Sequence, residues 1–156
     1  MRHFIDTQFP VIFPVFFVAL WCAISLFASW LTGWAALARR FRSTMPFTGQ
    51  TWNWQSARMR WSTHYSSCLT VGADPTGLYL SVMFLFRMGH SPLFLPWHEV
   101  SLRRRWKVLG LRYVELRLGQ EEQLPFQISG SLADRLEAAA GPGWPVEAAS
   151  QGTFAS

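Results

Sequence analysis

Few residues in this chain have types and spacings that could support catalysis or metal binding. His98-Glu99 begins like the helical motif of zinc proteases, but Leu102 stands where that motif needs its second histidine. The remaining candidate ligands share no metal-binding spacing and are His3, His64, His90 and Cys68. They would form a site only if folding alone brought them together, so ordinary surface or interface histidines are the simpler interpretation.

The sequence also lacks the common motifs of covalent and phosphate chemistry. It contains no G-x-S-x-G elbow, no phosphate-binding glycine-rich loop and no pair of carboxylates spaced for acid and base catalysis. Cys22 and Cys68 fall in different predicted segments, so we expect two free thiols rather than a disulfide. We therefore predict a non-enzymatic protein with no metal and no cofactor, and keep an enzyme of unrecognised type as an alternative.

The densest cationic group is the run Arg103, Arg104, Arg105 and Lys107. On a regular strand Arg103, Arg105 and Lys107 would share one face, opposite Leu102, Trp106 and Val108. Cations near an anionic leaflet are attracted by about 1 kcal/mol each, so this face, with Arg87, is the candidate lipid-binding or partner-binding site. The alternative is a solvated face balanced by nearby glutamates.

The charge balance of the whole chain narrows the class of partner. The net charge is +5 and the isoelectric point is about 10.0, which suits either nucleic acid or an anionic membrane surface. No RNP signature, zinc finger or comparable nucleic-acid motif is present. We expect membrane lipids as partners, together with a protein partner or a homo-oligomer, and no nucleic acid.

The membrane is predicted by the run from residue 9 to residue 38, because no ionisable side chain occurs between Asp6 and Arg39. A helix needs roughly 20 apolar residues to cross a hydrocarbon core of about 30 Å, and this run exceeds that length. Ala36-Leu37-Ala38 also has the form of a signal-peptidase site. We favour a retained transmembrane helix over 9–38, since arginines follow that site at once and resist translocation.

Those arginines also predict orientation. Arg39, Arg40 and Arg42 follow the run, whereas Arg2 alone precedes it, so we expect a single-pass protein of the plasma (inner) membrane with a cytoplasmic C-terminal domain. Trp30 and Trp34 would then lie at the cytoplasmic membrane interface. Small residues at helical spacing, namely Ser25, Ser29 and Gly33, form a face on which another helix could pack. An accessory subunit assembled through this helix is therefore a further alternative.

After a basic juxtamembrane linker over 39–50, residues 51–140 have an antiparallel β pattern. Asp74-Pro75-Thr76-Gly77 is a type I turn signal and predicts a hairpin that continues as a strand to Phe86. Pro96 predicts that its strand lies at an edge of the sheet or contains a bulge. A three-residue loop centred on Gly110 would place Glu115 opposite Arg105.

The C-terminal segment is predicted to contain one helix and a disordered tail. Ser131-Leu132-Ala133-Asp134 resembles a capping box and predicts a helix to about Ala140, followed by a disordered tail over 141–156. The hairpin over 83–95 is apolar on both faces. Core packing is the simpler account of this hairpin, and lipid insertion or a protein contact is the alternative.

Seven or so strands followed by one helix resemble the pleckstrin-homology-like (PH-like) superfold in its bacterial and GRAM-like variants. The segments 69–80 and 95–100 are similar to runs in small bacterial single-pass membrane proteins that carry such a domain and have no assigned function. The resemblance implies a partly open barrel closed at one end by the helix, and no ligand residue is carried over. The predicted function is a membrane-anchored binding or scaffolding module that docks protein or anionic lipid.

Overall fold

The structure is a computed structural model that describes residues 3–31, 33–59, 64–84, 87 and 89–147. Within these residues the chain forms three α-helices and a seven-stranded antiparallel sheet that curls into a half-barrel. The helices are α1 His3–Leu31, α2 Trp34–Phe41 and α3 Gly130–Ala140. The strands are β1 Gln50–Arg58, β2 His64–Ala73, β3 Gly77–Val82, β4 Leu93–Pro96, β5 Val100–Val108, β6 Leu111–Leu118 and β7 Leu124–Ser129. The predicted fold class, an apolar helix before a partly open antiparallel barrel with a C-terminal helix, is confirmed.

The strand order is β4-β3-β2-β1-β7-β6-β5, so β4 and β5 are the edges. Pro96 ends β4, as expected of a residue that cannot donate to a sheet ladder. Strands that follow each other along the chain pair as hairpins except β4 and β5, and β1 meets β7 through Arg58 and Gln127. This pairing of β1 with β7 joins the two halves of the curled sheet, and the edge strands β4 and β5 do not pair with each other.

The core lies inside the curl. Fully or almost fully buried apolar side chains come from every strand, including Leu69, Leu80, Leu116 and Phe126. Burying a side chain of this size contributes about 1.5–3 kcal/mol. Helix α3 covers one side of the curl with its buried face, and the Ser129 hydroxyl caps it by accepting from the N–H of Leu132.

The turn between β2 and β3 has the predicted chemistry. The Asp74 carboxylate accepts hydrogen bonds from the backbone N–H groups of Thr76 at 2.7 Å and Gly77 at 2.9 Å, and also from the Thr76 hydroxyl. Strand β3 ends at Val82, earlier than predicted, and Leu85 and Phe86 lie outside the described residues.

The predicted helix over 9–38 is divided in the structure. Helix α1 ends at Leu31, and Gly33 adopts φ 80° before α2 begins. A Cβ at Gly33 would lie 2.7 Å from a Leu124 methyl carbon, so this close approach favours glycine. The part of α1 long and apolar enough to span a membrane is Val11–Leu31.

Helix α2 belongs to the β domain. Trp34 and Leu37 are fully buried in the core, and the Trp34 indole donates to the Ser91 carbonyl at 2.9 Å. Trp34 therefore does not lie at the membrane interface, contrary to the prediction, because the bend at Gly33 turns it into the barrel. The predicted linker also starts later, since α2 continues to Phe41.

The predicted disordered tail begins with ordered structure. Gly141–Gly143 forms a short helical turn, and Trp144 is buried with its ring centroid 5.6 Å from that of Trp97. Residues 148–156 lie outside the described residues. The burial of Trp144 explains the difference, because this indole closes the core beside β4.

Candidate functional site

Of the candidate ligands that the structure describes, His64, His90 and Cys68 line one groove between α1 and the start of β2, and His98 lies elsewhere. His64 begins β2, where its Nδ1 lies 2.6 Å from the Ser66 hydroxyl. His98 is exposed, with its Nε2 3.8 Å from a Glu99 carboxylate oxygen. His90 is buried 3.2 Å from the Tyr65 hydroxyl. Among the described residues, no three His, Cys, Asp or Glu side chains are placed to hold a metal ion.

Both cysteines are free thiols, as predicted. Burial raises the pKa of the Cys68 thiol above its ordinary value, although a hydrogen bond from its own backbone acts in the opposite direction. A thiol in this environment is mostly protonated near neutral pH and reacts slowly. Cys68 has no feature of an activated nucleophile.

Strand β5 contains an irregularity that the sequence analysis missed. Leu102 pairs with Leu116 but Arg104 pairs with Glu115, so Arg103 is an extra residue in a β-bulge. Because of this extra residue, each later side chain of β5 lies on the face opposite to the one that regular alternation predicts. Arg105 pairs with the buried Val114, and Glu115 therefore lies opposite Arg104 rather than Arg105.

The bulge separates the predicted basic face. Arg105 and Lys107 lie on the same face of the sheet as Val114, whereas Arg103 lies in the bulge before them. Trp106 pairs with Tyr113 and lies on the same face of the sheet as Glu115. It therefore lies on the opposite face from Leu102, contrary to the prediction. The three cations therefore do not form one row on one strand face.

Several arginines of this region are compensated by carboxylates. Glu115 is buried and lies 3.1 Å from the Arg104 Nε and 3.0 Å from an Arg117 Nη. Helix α3 supplies Glu137 to Arg105 at 3.4 Å. Within the described residues, Arg103 and Lys107 remain without an ion pair.

A second cationic group lies where α1 meets the domain. Arg39 and Arg42 line a groove of about 510 Å³ with Gly89 and Ser91 of the β3–β4 loop. Both arginines are exposed, and neither forms an ion pair in the described part of the chain. Arg40 differs, because its guanidinium lies within 4 Å of three glutamates, namely Glu99, Glu121 and Glu122.

The small-residue face of α1 contacts this protein's own domain. Ser29 is buried and donates to the Gly89 carbonyl, and a Cβ on Gly89 would lie 2.7 Å from a Leu26 methyl carbon. Ser25 is also buried, and Gly33 approaches Leu124. The expected contact with another helix is therefore replaced by an intramolecular one.

The β3–β4 loop reaches along α1 rather than only into the core. Gly89 contacts Leu26, which lies five residues before the end of α1, or about 7 Å along the helix axis. Phe84 in the same loop is 73% exposed. Arg87, which lies between them, is exposed as well.

The β5–β6 hairpin ends in an exposed apolar tip. Its turn has two residues, Leu109 at φ 50° and Gly110 at φ 82°, one fewer than predicted. Leu109 is 98% exposed, and Val108 and Leu111 beside it are exposed too. Lys107 and Arg112 pair directly below this tip.

Two further grooves meet at His64. One is a groove of about 330 Å³ between α1 and the start of β2, and the other is a groove of about 490 Å³ across β1, β7 and the β5–β6 hairpin. Neither was foreseen from the sequence, since each needs elements that lie far apart in the chain. Comparison with protein-family models, with curated proteins and with solved structures gives no match to this chain.

Proposed function

We propose that this chain is a bacterial single-pass protein of the plasma membrane whose PH-like, GRAM-like domain docks on anionic lipid at the cytoplasmic face. In this proposal it is a non-enzymatic binding module. The observation that supports it best is the groove of Arg39 and Arg42, which starts beside Gly89, a residue in contact with α1. A cation pair without carboxylate partners at that position suits lipid phosphates.

The exposed apolar side chains of the domain support the same proposal. The β3–β4 loop lies along the last turns of the candidate span and carries the exposed Phe84. When α1 crosses a bilayer, this loop lies at the boundary between acyl chains and headgroups. Apolar side chains flanked by cations, such as Phe84 near Arg87, are typical of segments that bind at this boundary.

Hydrogen exchange on the full chain in nanodiscs tests the docking. We expect amides of residues 89–93 to exchange more slowly in nanodiscs that contain phosphatidylglycerol than in pure phosphatidylcholine. High salt should remove the difference, because the Debye length falls from about 10 Å at 0.1 M to about 3 Å at 1 M. The double variant Arg39→Glu/Arg42→Glu should abolish it.

The matched control is Arg135→Glu on α3, since Arg135 is also exposed and without an ion pair among the described residues. Its exchange should respond to phosphatidylglycerol as the wild type does. Equal exchange of the wild type in both lipids at low salt would contradict lipid docking. A protein partner would then be the better explanation.

Orientation has its own test. With Cys22 and Cys68 replaced by alanine, a cysteine introduced at Ser150 should stay unlabelled by an impermeant thiol reagent in intact cells. Labelling should appear once the cells are lysed, because the arginines after the span favour the cytoplasmic side. Labelling of intact cells would place the domain outside.

A further inference from the structure

The groove between α1 and β2 has the character of a site for an acyl chain. Trp21, Ile24 and Ala28 form its α1 wall, and Tyr65 and Cys68 contribute to the domain wall. The α1 side chains belong to Val11–Leu31, the segment that is long and apolar enough to span a membrane. Its volume of about 330 Å³ lies within the range of small-molecule sites, about 300–1,000 Å³. We call this the tail groove.

The second groove exposes more polar surface than the tail groove, and it contains one arginine, although Trp106, Val108 and Ile128 also line it. Arg58, His64, Tyr113, Gln127 and Ser129 supply its polar groups, and Arg58 pairs in the sheet with both His64 and Gln127. Arg58 forms no ion pair within the described part of the chain. Among the described residues, no carboxylate lines either groove. We call this second cavity the head groove.

His64 lines both grooves, so a mostly apolar cavity and a more polar cavity that contains Arg58 meet at one residue. We propose that together they bind one anionic phospholipid, with an acyl chain in the tail groove and the phosphate beside Arg58 and His64 in the head groove. The inference rests on the proposed membrane anchoring and names an individually bound lipid within it. Charge complementarity and continuity with the apolar surface of α1 identify the occupant.

A membrane lipid fits better than a soluble ligand because of where the tail groove lies. The side chains of α1 from Val11 to Leu20 are all exposed, and the groove continues this exposed surface at Trp21 and Ile24. A lipid therefore enters sideways from the bilayer.

Native mass spectrometry of the full chain in mild detergent tests the proposal. After delipidation, phosphatidylglycerol or phosphatidylcholine with the same acyl chains is added. We expect one bound phosphatidylglycerol per chain and about tenfold weaker binding of phosphatidylcholine, because the cationic choline group beside the phosphate is repelled by the Arg58 guanidinium. Wild-type protein that binds neither lipid would overturn the proposal. So would a dimer whose chains carry no lipid, since the grooves would then belong to a chain–chain contact.

Two variants with matched controls separate the grooves. Ala28→Trp should fill the tail groove and lower binding of both lipids about tenfold or more, whereas Ala19→Trp on the exposed side of α1 should leave both bound. Arg58→Gln should remove only the preference for phosphatidylglycerol, whereas Arg103→Gln should keep it. Equal binding by Ala28→Trp and Ala19→Trp would overturn the proposal.

A measurement on wild-type protein avoids the question of whether a variant folds. Cys68 lines the tail groove and Cys22 does not, so phosphatidylglycerol should slow maleimide labelling of Cys68 more than that of Cys22. Glycerol phosphate, which lacks a tail, should protect neither thiol. Labelling of Cys68 at the same rate with and without phosphatidylglycerol would overturn the tail groove as the binding site.

Failure of this inference can be told apart from failure of the proposed function. Arg39→Glu/Arg42→Glu should lose the lipid-dependent exchange difference yet retain the bound phosphatidylglycerol, because neither arginine lines the two grooves. Ala28→Trp should show the reverse pattern. Loss of bound lipid in the double arginine variant would contradict the assignment to the head groove.

Discussion

Glu115 is a buried carboxylate held between two arginines on the sheet. Arg104 and Arg117 approach its two oxygens at 3.1 Å and 3.0 Å, so neither oxygen is left without a cation. Removing one partner of such a group leaves the others buried and uncompensated. The exposure of the Arg104 side chain, 62%, moderates this effect through solvent screening.

We expect Glu115→Gln to lower the free energy of unfolding by about 1–3 kcal/mol, since the amide keeps the shape but loses both charged contacts. Urea unfolding of the full chain in micelles, followed by near-ultraviolet circular dichroism, measures this change. Glu121→Gln is the control, because Glu121 also faces an arginine but its side chain is 80% exposed. The control should cost less than about 1 kcal/mol. Equal losses would contradict a special role for burial at Glu115.

Asp74 predicts how stability depends on pH. Partial burial alone would raise its pKa, but hydrogen bonds from the Thr76 hydroxyl and from the N–H groups of Thr76 and Gly77 outweigh burial and hold the pKa below its ordinary value. An unfolded aspartate titrates near about pH 3.9. As the pH falls below that value, the unfolded state therefore binds more protons at Asp74 than the folded state does. The contribution of the Asp74 carboxylate to stability is present above that pH and is lost as the pH falls through the folded pKa.

The variant Asp74→Asn tests this dependence, because asparagine still accepts the turn hydrogen bonds but does not titrate. We expect its melting temperature to be lower than that of the wild type at pH 6. The difference should shrink as pH falls below about 4. Parallel melting curves for the two proteins over the whole range would contradict the assignment.

Of these local features, the turn at Asp74 could be predicted from the sequence, whereas the position of the bulge in β5 was not predicted. Turn chemistry depends on neighbours in the sequence, so Asp74 and Gly77 were sufficient. The bulge had a signal, since regular alternation would have put Arg104 on the same face as Leu102 and Trp106. A charge on an apolar face indicates an extra residue in the strand, but its partner Glu115 is identified only once β6 is paired.

Helix α2 contributes more buried side chains to the core than its short length suggests. Trp34 contacts Tyr65 and His90 as an aromatic cluster, with ring centroids at 6.2 Å and 5.4 Å. Leu37 is fully buried beside it. These contacts join the N-terminal helices to β2 and to the β3–β4 loop, so the domain includes residues that the sequence assigned to the span.

We expect Trp34→Ala to lower the free energy of unfolding by about 3–5 kcal/mol, as is typical when a large buried aromatic side chain is removed. Trp30→Ala is the matched control, because Trp30 is 70% exposed on the preceding helix. The control should stay within about 0.5 kcal/mol in micelles. Similar losses for the two variants, measured by urea unfolding of the full chain, would contradict the burial of α2.

The strands were easier to predict than this helix, for a physical reason. Period-two alternation and turn residues such as Gly110 mark hairpins locally. Gly33, in contrast, resembles any small residue within an apolar run, and the side chain of Leu124 that leaves no room for a Cβ there belongs to a distant strand. The break between α1 and α2 is therefore a tertiary effect.

At the scale of the whole molecule, helix α1 and the β domain share an interface. The sequence predicted both parts but treated them as joined by a linker. The contacts of Ser29 with Gly89 and of α2 with the core couple the position of α1 to that of the sheet. Grooves at this junction could not be predicted, since the walls of each come from segments up to about 70 residues apart.

The bend at Gly33 has a consequence for biosynthesis. A ribosome makes α1 and α2 first, at about 5–20 residues per second, whereas Leu124, which packs against Gly33, emerges about ninety residues later. Trp34 and Leu37 are thus made well before the strands that bury them. In the proposed membrane-anchored protein, α1 is inserted before the sheet forms around α2, so this domain reaches its final shape at the bilayer surface.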